Sequence, residues 1–169
     1  MSGTDVSPAG FLPRVDAVAQ RLADHARRRQ QPPQGLTSPD AETGERWDTG
    51  QIWAHLAEIV PYWIAQTTIV IDSYAGEPVP FGRVKSDPGR VRAIEDGRST
   101  PIPTQWAHVE RHLASLRTFV EGVDEASWSA QGLHSKRGVM PVTRIVDDFL
   151  ISHLEEHADQ LDQVSAVPR

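Results

Sequence analysis

Apolar residues recur at three- and four-residue spacing in four stretches of the chain, and this spacing predicts four amphipathic α-helices. The predicted helices cover about residues 11–30, 48–74, 101–123 and 141–164. No stretch alternates apolar and polar residues in the manner of a β-strand. The fold class predicted is therefore all-α, a four-helix bundle around one core.

Local signals sharpen the two central helices. Asp48 is followed three positions later by Gln51, the arrangement of a capping box at a helix start. Pro61 lies inside the second apolar pattern and deprives the carbonyl group of Ala57 of its helical partner, which predicts a kink rather than an end. Thr100 is the predicted N-cap of the third helix.

The segments between the helices are rich in proline and glycine. Residues 1–10 are predicted to be a mobile tail, and residues 11–165 a single domain. Residues 76–99 form a long non-helical stretch, and loops of this length in a compact domain usually have a function. Residues 124–140 contain a short predicted turn of helix near residues 125–129.

Two histidines, in His153-Leu-Glu-Glu-His157, lie one helical turn apart on the apolar stripe of the fourth helix. Both are therefore predicted to face the core. A buried imidazole needs a partner for each ring nitrogen, and one metal ion would satisfy both histidines together. The alternative is that each is a core histidine hydrogen-bonded to a carboxylate, and the pattern leaves both interpretations open.

The remaining histidines carry weaker signals. His108 and His112 have the same spacing but lie at the margin of the third apolar stripe. His25 and His134 are predicted to be surface residues. His55, in contrast, lies on the flank of the second helix, where a seam between helices is expected.

The second and fourth helices carry short motifs in a fixed order. These motifs are Trp53-Ala-His55-Leu-Ala-Glu58, then Pro61-Tyr62-Trp63, and finally His153-x-x-x-His157-Ala-Asp-Gln160-Leu161. They resemble the DinB/YfiT-like metalloprotein superfamily, which includes mycothiol-dependent maleylpyruvate isomerases and related thiol transferases. The resemblance covers about residues 11–165.

The resemblance implies a divalent metal ion, zinc or nickel first and iron next, held by His55, His153 and His157. It also implies a small-molecule substrate and a low-molecular-weight thiol cosubstrate such as mycothiol. In the maleylpyruvate isomerase branch, one ligand on the last helix is a glutamate. The matching position here is His153, which favours the plainer DinB-like type.

Other side chains near these histidines are candidates for supporting roles. On an ideal helix Glu156 and Gln160 point inward, which suits proton transfer or ligand orientation. A hydrogen bond from Glu156 to the third helix is an equal alternative. Arg90, Arg92 and Arg98 are candidates for binding an anionic substrate or cofactor, against the alternative of solvated loop charges.

The positions of the histidines along their helices predict the topology. His55 lies ~10 Å from the start of its helix and His157 ~12 Å from the end of its own. The two levels coincide only if the second and fourth helices are antiparallel. Residues 76–99 must then cross the bundle lengthwise, the third helix runs parallel to the second, and residues 124–140 lie at the end opposite the metal site.

Two other metalloenzyme patterns are weaker. His153-Leu-Glu-Glu-His157 matches the inverted zinc-peptidase motif, but only 12 residues follow His157, too few for a downstream ligand helix. Di-iron bundles need Glu-x-x-His on two helices, and no histidine of the two candidate pairs, nor His55, has that glutamate.

Composition limits the function classes. The 169 residues include no cysteine, so any thiol chemistry must use a thiol that a cosubstrate brings. The net charge of -6 argues against nucleic acid and anionic membrane as partners, and no targeting or membrane-spanning segment is apparent, so a cytoplasmic location is expected.

These observations lead to two functional hypotheses. The first is a metal-dependent transferase or isomerase, or a hydrolase, that acts on a small electrophilic molecule. The alternative is a non-catalytic bundle that binds a metal or a small molecule. A homodimer remains open.

Overall fold

The computed structural model describes residues 7–28 and 35–166. The helices are α1 (Phe11–Arg28), α2 (Thr49–Ser73), α3 (Pro88–Gly97), α4 (Ile102–Gly122), α5 (Val142–Val146) and α6 (Ser152–Ala166). The strands are β1 (Val79–Phe81), β2 (Gln131–His134) and β3 (Gly138–Pro141). The predicted extension of the first helix to Gln30, and most of the predicted tail, lie outside the described residues.

The start of α2 has the predicted capping box. The Asp48 carboxylate accepts from the Gln51 backbone N–H at 2.9 Å, and the Gln51 side chain accepts from the Asp48 N–H at 3.1 Å. Pro61 lies inside α2, which continues to Ser73. The prediction that Thr100 caps α4 is wrong. Pro101 occupies the N-cap position, where its fixed backbone angle suits a helix start, and its side chain makes no capping hydrogen bond.

Ring contacts fix the relative directions of α2 and the last helix. His55, early in α2, lies 4.8 Å from His157, whereas Trp63, later in α2, stacks at 4.2 Å on Phe149. The earlier residue of α2 thus contacts the later residue of the last helix, and the later residue of α2 contacts the earlier one. The two helices are therefore antiparallel.

The third long helix runs parallel to α2. Trp53 contacts Trp106 of α4 at 6.2 Å between ring centroids, and Ala57, one turn further along α2, contacts His112, nearly two turns further along α4. Parallel consecutive helices require a connection that crosses the bundle lengthwise. The predicted four-helix bundle with a long crossover between its second and third long helices is therefore confirmed.

The crossover is not the non-helical stretch that the sequence predicts. Residues 76–99 contain β1 and α3, and the latter begins where the Asp87 carboxylate accepts from the Arg90 N–H. β1 pairs in parallel with β2, which pairs antiparallel with β3. Strands of three or four residues are too short to reveal alternation in the sequence, so the small sheet was missed.

The predicted last helix is interrupted by a π-helical turn, Asp147–Ile151, between α5 and α6. Arg14 of α1 binds the first residue of this turn and two residues that follow the turn. Its guanidinium donates to Asp147 at 2.7 Å, to Ser152 at 3.0 Å and to Glu155 at 2.7 Å. The hydrogen bonds to Glu155 and then to Asp147 raise the pKa of Arg14, and burial opposes this rise. The network fixes α1 against the turn that precedes His153.

The apolar stripes of the long helices meet in one cluster of buried side chains. Its largest fully buried members include Trp53, Phe11, Leu116 and Leu150. None of the helices in the described part of the chain is both long and apolar enough to cross a membrane. The division into a tail of residues 1–10 and one domain of residues 11–165 stays a prediction.

Candidate metal centre

Three imidazoles from two helices converge at one point. The Nε2 atom of His153 lies 3.1 Å from Nε2 of His55 and 3.0 Å from Nε2 of His157. His55 is contributed by the first third of α2 and the other two by α6. His55 and His157 are buried, whereas the side chain of His153 is 29% exposed. The sequence prediction that His153 faces the core is thus only partly met.

Each imidazole has an acceptor three residues later on its own helix. The Nδ1 atoms of His55, His157 and His153 lie 2.9, 2.8 and 3.4 Å from side-chain oxygens of Glu58, Gln160 and Glu156 respectively. A neutral imidazole that donates from Nδ1 has its lone pair on Nε2. These contacts therefore favour the tautomer whose lone pair points to the centre of the cluster.

The donor set fits a divalent metal ion. In a tetrahedral zinc site with bonds of about 2.0–2.1 Å, the ligand nitrogens are about 3.3 Å apart, close to the separations seen here. Burial, and then the neighbouring imidazoles, lower the pKa of His55 and of His157. The neutral form that this favours is the form that binds metal. The role of the three histidines as metal ligands stays a prediction.

Glu58 and Arg83 support His55 from outside the cluster. The Arg83 guanidinium donates to both Glu58 oxygens, at 2.6 and 2.5 Å, and lies over the Tyr62 ring at 3.9 Å. Burial raises the pKa of the Glu58 carboxyl, and Arg83 opposes this rise. Sequence reasoning assigned neither residue a role. The available signal was the three-residue spacing from His55 to Glu58, the same as from His157 to Gln160.

Trp47 forms a wall beside the cluster. Its ring meets that of His55 edge-on at 5.0 Å and stacks on that of His157 at 5.9 Å, with 16° between the planes. Thr37 holds the backbone of Trp47 through two hydrogen bonds of 2.9 Å. The Thr37 N–H donates to the Trp47 carbonyl oxygen, and the Trp47 N–H donates to the Thr37 hydroxyl oxygen. The segment before α2 is thus fixed against the imidazoles.

A cavity of about 620 Å³ opens above the histidines. Of the residues proposed from the sequence for supporting roles, Glu156, Gln160 and Arg90 line it. The Glu156 side chain is 61% exposed, so the expectation that it points into the core is wrong. Gln160 is half-buried and bonded to His157, as an orienting residue should be.

Arg92 and Arg98 do not line this cavity. Both are exposed, and Arg98 forms ion pairs with Asp48 at 2.7 Å and Glu95 at 3.7 Å. The reason is that α3 is helical and ends at Gly97, so Arg90 and Arg92 point in different directions and Arg98 lies beyond the helix. The placement of residues 124–140 away from the site is also corrected, because Arg137, in the turn between β2 and β3, lines the cavity.

The other histidines lie apart from this centre. His134 is 4% exposed and accepts from the backbone N–H groups of Lys136 and Arg137, so the prediction of a surface residue is wrong. It is buried because β2 packs its inward face on the bundle. His25 is half-buried, and its Nε2 atom lies 2.9 Å from the Oδ1 atom of Asp162.

Neither a protein-family model nor a curated protein matches the sequence. Solved structures do match its fold. The mycothiol-dependent maleylpyruvate isomerase has a TM-score of 0.69 and 15% identity over 92% of this chain and 60% of its own. The chain thus spans about three fifths of that protein.

Two further solved structures match over nearly the whole chain. YfiT from Bacillus subtilis, described as a probable metal-dependent hydrolase with an unusual four-helix bundle topology, has a TM-score of 0.70 and 10% identity over 97% of this chain and 89% of its own. The colibactin self-resistance protein ClbS, solved with a dsDNA, has a TM-score of 0.72 and 10% identity over 99% of this chain and 100% of its own. The chain thus shares the fold of these solved structures, as the resemblance of its motifs to the DinB/YfiT-like superfamily predicts.

Proposed function

We propose that this protein is a metal-dependent enzyme that directs a low-molecular-weight thiol, or water, at a small electrophilic molecule. The observation that carries the proposal is the convergence of three imidazole Nε2 atoms beside an open cavity. His55, His153 and His157 would hold the ion. When bound, a divalent ion there supplies Lewis-acid chemistry and lowers the pKa of a coordinated thiol or water.

The chain's own residues prepare the site. Glu58 and Gln160 accept from Nδ1 of His55 and His157 and so keep both rings in one orientation. An amide cannot act as a base at neutral pH, so Gln160 is an orienting residue rather than a proton acceptor. Glu156 lines the cavity and is solvent-exposed, which makes it the candidate to accept a proton from an incoming nucleophile.

An enzyme is favoured over a purely structural metal site because the cluster is open. Within residues 7–28 and 35–166, no fourth histidine or carboxylate joins the three imidazoles, and His153 faces the cavity. Structural sites usually close the metal with four protein ligands, whereas catalytic sites use three and leave a position for substrate. The non-catalytic alternative, a bundle that only binds metal or a small molecule, predicts binding without turnover.

The identity of the nucleophile, a thiol or water, distinguishes a transferase or isomerase from a hydrolase. A thiol transferase or isomerase needs a thiol cosubstrate, which this cysteine-free chain cannot supply itself. The likeness to a mycothiol-dependent isomerase supports mycothiol as the first thiol to test, and the likeness to YfiT supports hydrolysis as the alternative. Zinc and nickel are the first metals to test, followed by iron.

The partner that we propose is a small molecule. ClbS was solved with a dsDNA, but the net charge of -6 on this chain opposes binding to a polyanion. A cytoplasmic location and a homodimer stay predictions.

The decisive experiment is metal analysis of untagged protein, wild type against His153→Ala, followed by assays on a panel of electrophiles with and without mycothiol. We expect about one metal ion per chain in the wild type only, and turnover that needs metal. Full turnover in chelated protein would end the proposal. Turnover without any thiol would select hydrolysis, and tight binding of a DNA duplex in a parallel titration would reopen the question of partners.

A further inference from the structure

Arg90 is a buried cation at the cavity wall whose guanidinium forms no ion pair with a carboxylate of the described residues. The residue is 8% exposed, and its Nη1 atom donates to the backbone oxygen of Lys85 at 2.7 Å. Among the ion pairs of the described residues, none includes its guanidinium. Burial lowers the pKa of Arg90, which reflects the cost of a charge at this position. Glu45, Glu58 and Asp40 oppose that shift through their charges, without pairing with the guanidinium.

The other cations of the cavity already have partners. Lys85 lies 2.6 Å from a carboxylate oxygen of Asp40, and Arg137 lies 3.5 Å from one of Asp148. Buried charges in proteins are normally paired, because an unpaired one loses its hydration without compensation. The unmatched charge of Arg90 is therefore available to a ligand in the cavity.

The position of Arg90 relates it to the histidines. Its guanidinium carbon lies 5.2 Å from the centroid of the Trp47 ring, and that ring stacks on His157 at 5.9 Å. The distance from the Arg90 guanidinium carbon to the centre of the His157 ring therefore cannot exceed the sum of these two distances. Both residues line the same cavity. A small molecule can contact Arg90 with one end while its other end reaches the imidazole cluster.

We propose that Arg90 binds a carboxylate group of the molecule that occupies this cavity. The planar guanidinium matches a carboxylate through two parallel hydrogen bonds. A phosphate is disfavoured, because it would concentrate up to two negative charges on one group in a cavity that is also lined by four carboxylates, those of Asp40, Glu45, Glu156 and Asp159. A carboxylate places only one charge beside Arg90. The ligand is thus an organic acid, or a thiol that carries a carboxylate group. This inference rests on the proposed function for what happens at the histidine end, but the carboxylate site itself does not need metal.

The first test is calorimetric titration of glutarate, and of its neutral isostere glutaramide, into metal-free and zinc-loaded protein. Glutarate is expected to bind at least about tenfold more tightly than the diamide. Arg90→Gln should weaken glutarate binding by about tenfold to a hundredfold, as expected for lost charge-assisted hydrogen bonds. Arg92→Gln removes the same charge from an exposed position of α3 and should change it less than twofold.

Three results would overturn the inference. They are equal binding of glutarate and glutaramide, equal weakening by the two arginine substitutions, and no binding of glutarate to the wild type. Tighter binding of inorganic phosphate than of glutarate, dependent on Arg90, would also overturn the choice of a carboxylate.

A stability measurement separates a ligand-binding arginine from a structural one. If Arg90 is kept for a ligand, Arg90→Met should unfold within about 2 °C of the wild type, or above it, in the absence of anion. Glutarate should then raise the unfolding midpoint of the wild type and not that of the variant. A midpoint several degrees lower in Arg90→Met, with no effect of glutarate on the wild type, would mean that Arg90 serves the fold.

Two probes identify which reactant carries the carboxylate. Zinc-loaded protein that prefers 3-mercaptopropionate over its amide, in a manner abolished by Arg90→Gln, would assign the carboxylate to the thiol. If the amide of 3-mercaptopropionate, a neutral thiol, leaves glutarate binding unchanged, the carboxylate would be assigned to the electrophile. Arg90-dependent glutarate binding by a protein that proves unable to bind any of the tested metals would keep this inference and end the proposed function. Metal-dependent turnover without any carboxylate preference would do the reverse.

Discussion

Two pairs of histidines with the same four-residue spacing have opposite environments in this protein. On α6, His153 and His157 meet a third imidazole, and each Nδ1 faces an acceptor. On α4, His108 accepts from Arg111, while the Nδ1 atom of His112 is buried and has no hydrogen-bond partner in the described part of the chain. The His112 ring instead contacts the backbone of Ala57.

The difference teaches that spacing alone does not make a metal site. The carbonyl of Ala57 lacks its helical donor because Pro61 has no N–H, so His112 has a structural explanation. The α6 pair lacks such an explanation, since its two Nε2 atoms and that of His55 face one another. What separates the pairs is the imidazole from another helix and the acceptors that orient the rings.

Removal of one α6 histidine should have the largest effect. His157→Ala is expected to abolish stoichiometric metal binding, with an affinity loss beyond the about hundredfold typical of an outer hydrogen-bond partner, and to abolish turnover with it. His112→Ala is the matched control and should keep both. Equal metal loss in the two variants, measured by elemental analysis after dialysis, would erase the distinction between the pairs.

The acceptor of His55 should come next. Glu58→Gln keeps an oxygen near Nδ1 but removes the negative charge, so metal affinity is expected to fall about tenfold to a hundredfold. Competition with a chromophoric chelator measures this. Glu110→Gln, an exposed change beside the α4 pair, is the control. An unchanged affinity in Glu58→Gln would show that the orientation of His55 does not depend on this carboxylate.

Glu156 should affect turnover rather than metal. Because its side chain is largely exposed and 3.4 Å from Nδ1 of His153, Glu156→Gln is expected to retain metal within a few-fold. If it accepts protons, kcat should fall about a hundredfold, and its pH dependence should lose the limb that reports the carboxyl group. Metal loss that accounts for the whole decrease in rate would make Glu156 an orienting residue only.

The smallest effect is expected on α4. His112→Leu removes a buried unpartnered nitrogen but also the contact with Ala57, and these changes oppose each other. The free energy of unfolding should therefore change by less than about 1 kcal/mol, with metal content unaffected. Denaturant unfolding measures it, and a loss above about 3 kcal/mol would show that His112 is essential to the bundle.

Much of this arrangement follows from the sequence. The capping box at Asp48 fixed the start of α2, and matching the levels of His55 and His157 led to the antiparallel helices and the long crossover. The β-strands escaped because they are held by pairings between segments far apart in the chain, which local patterns do not contain. For the same reason, the pairing of Glu58 with Arg83 of the crossover could not be foreseen.

The prediction for Glu156 failed because the last helix is not uniform. At about 100° per residue from Phe149, the buried residues Val142, Ile145 and Val146 centre near 15°. The buried residues of α6 centre near about 115° on the same scale, and they are Leu154, His157, Ala158, Leu161 and Val164. The offset of about one residue arises in the π-helical turn, and it moves Glu156 outward and His157 to the middle of the buried face.

The π-helical turn is equivalent to a one-residue insertion in an otherwise regular helix. A relative that lacked it would need one residue fewer between its Phe149 equivalent and its first histidine to present the same pair. An ungapped alignment of the two sequences would then superimpose the histidines of one on their neighbours in the other. For chains only 10–15% identical, sequence comparison has little else to correct such a shift, so the histidine pair is better aligned by structure.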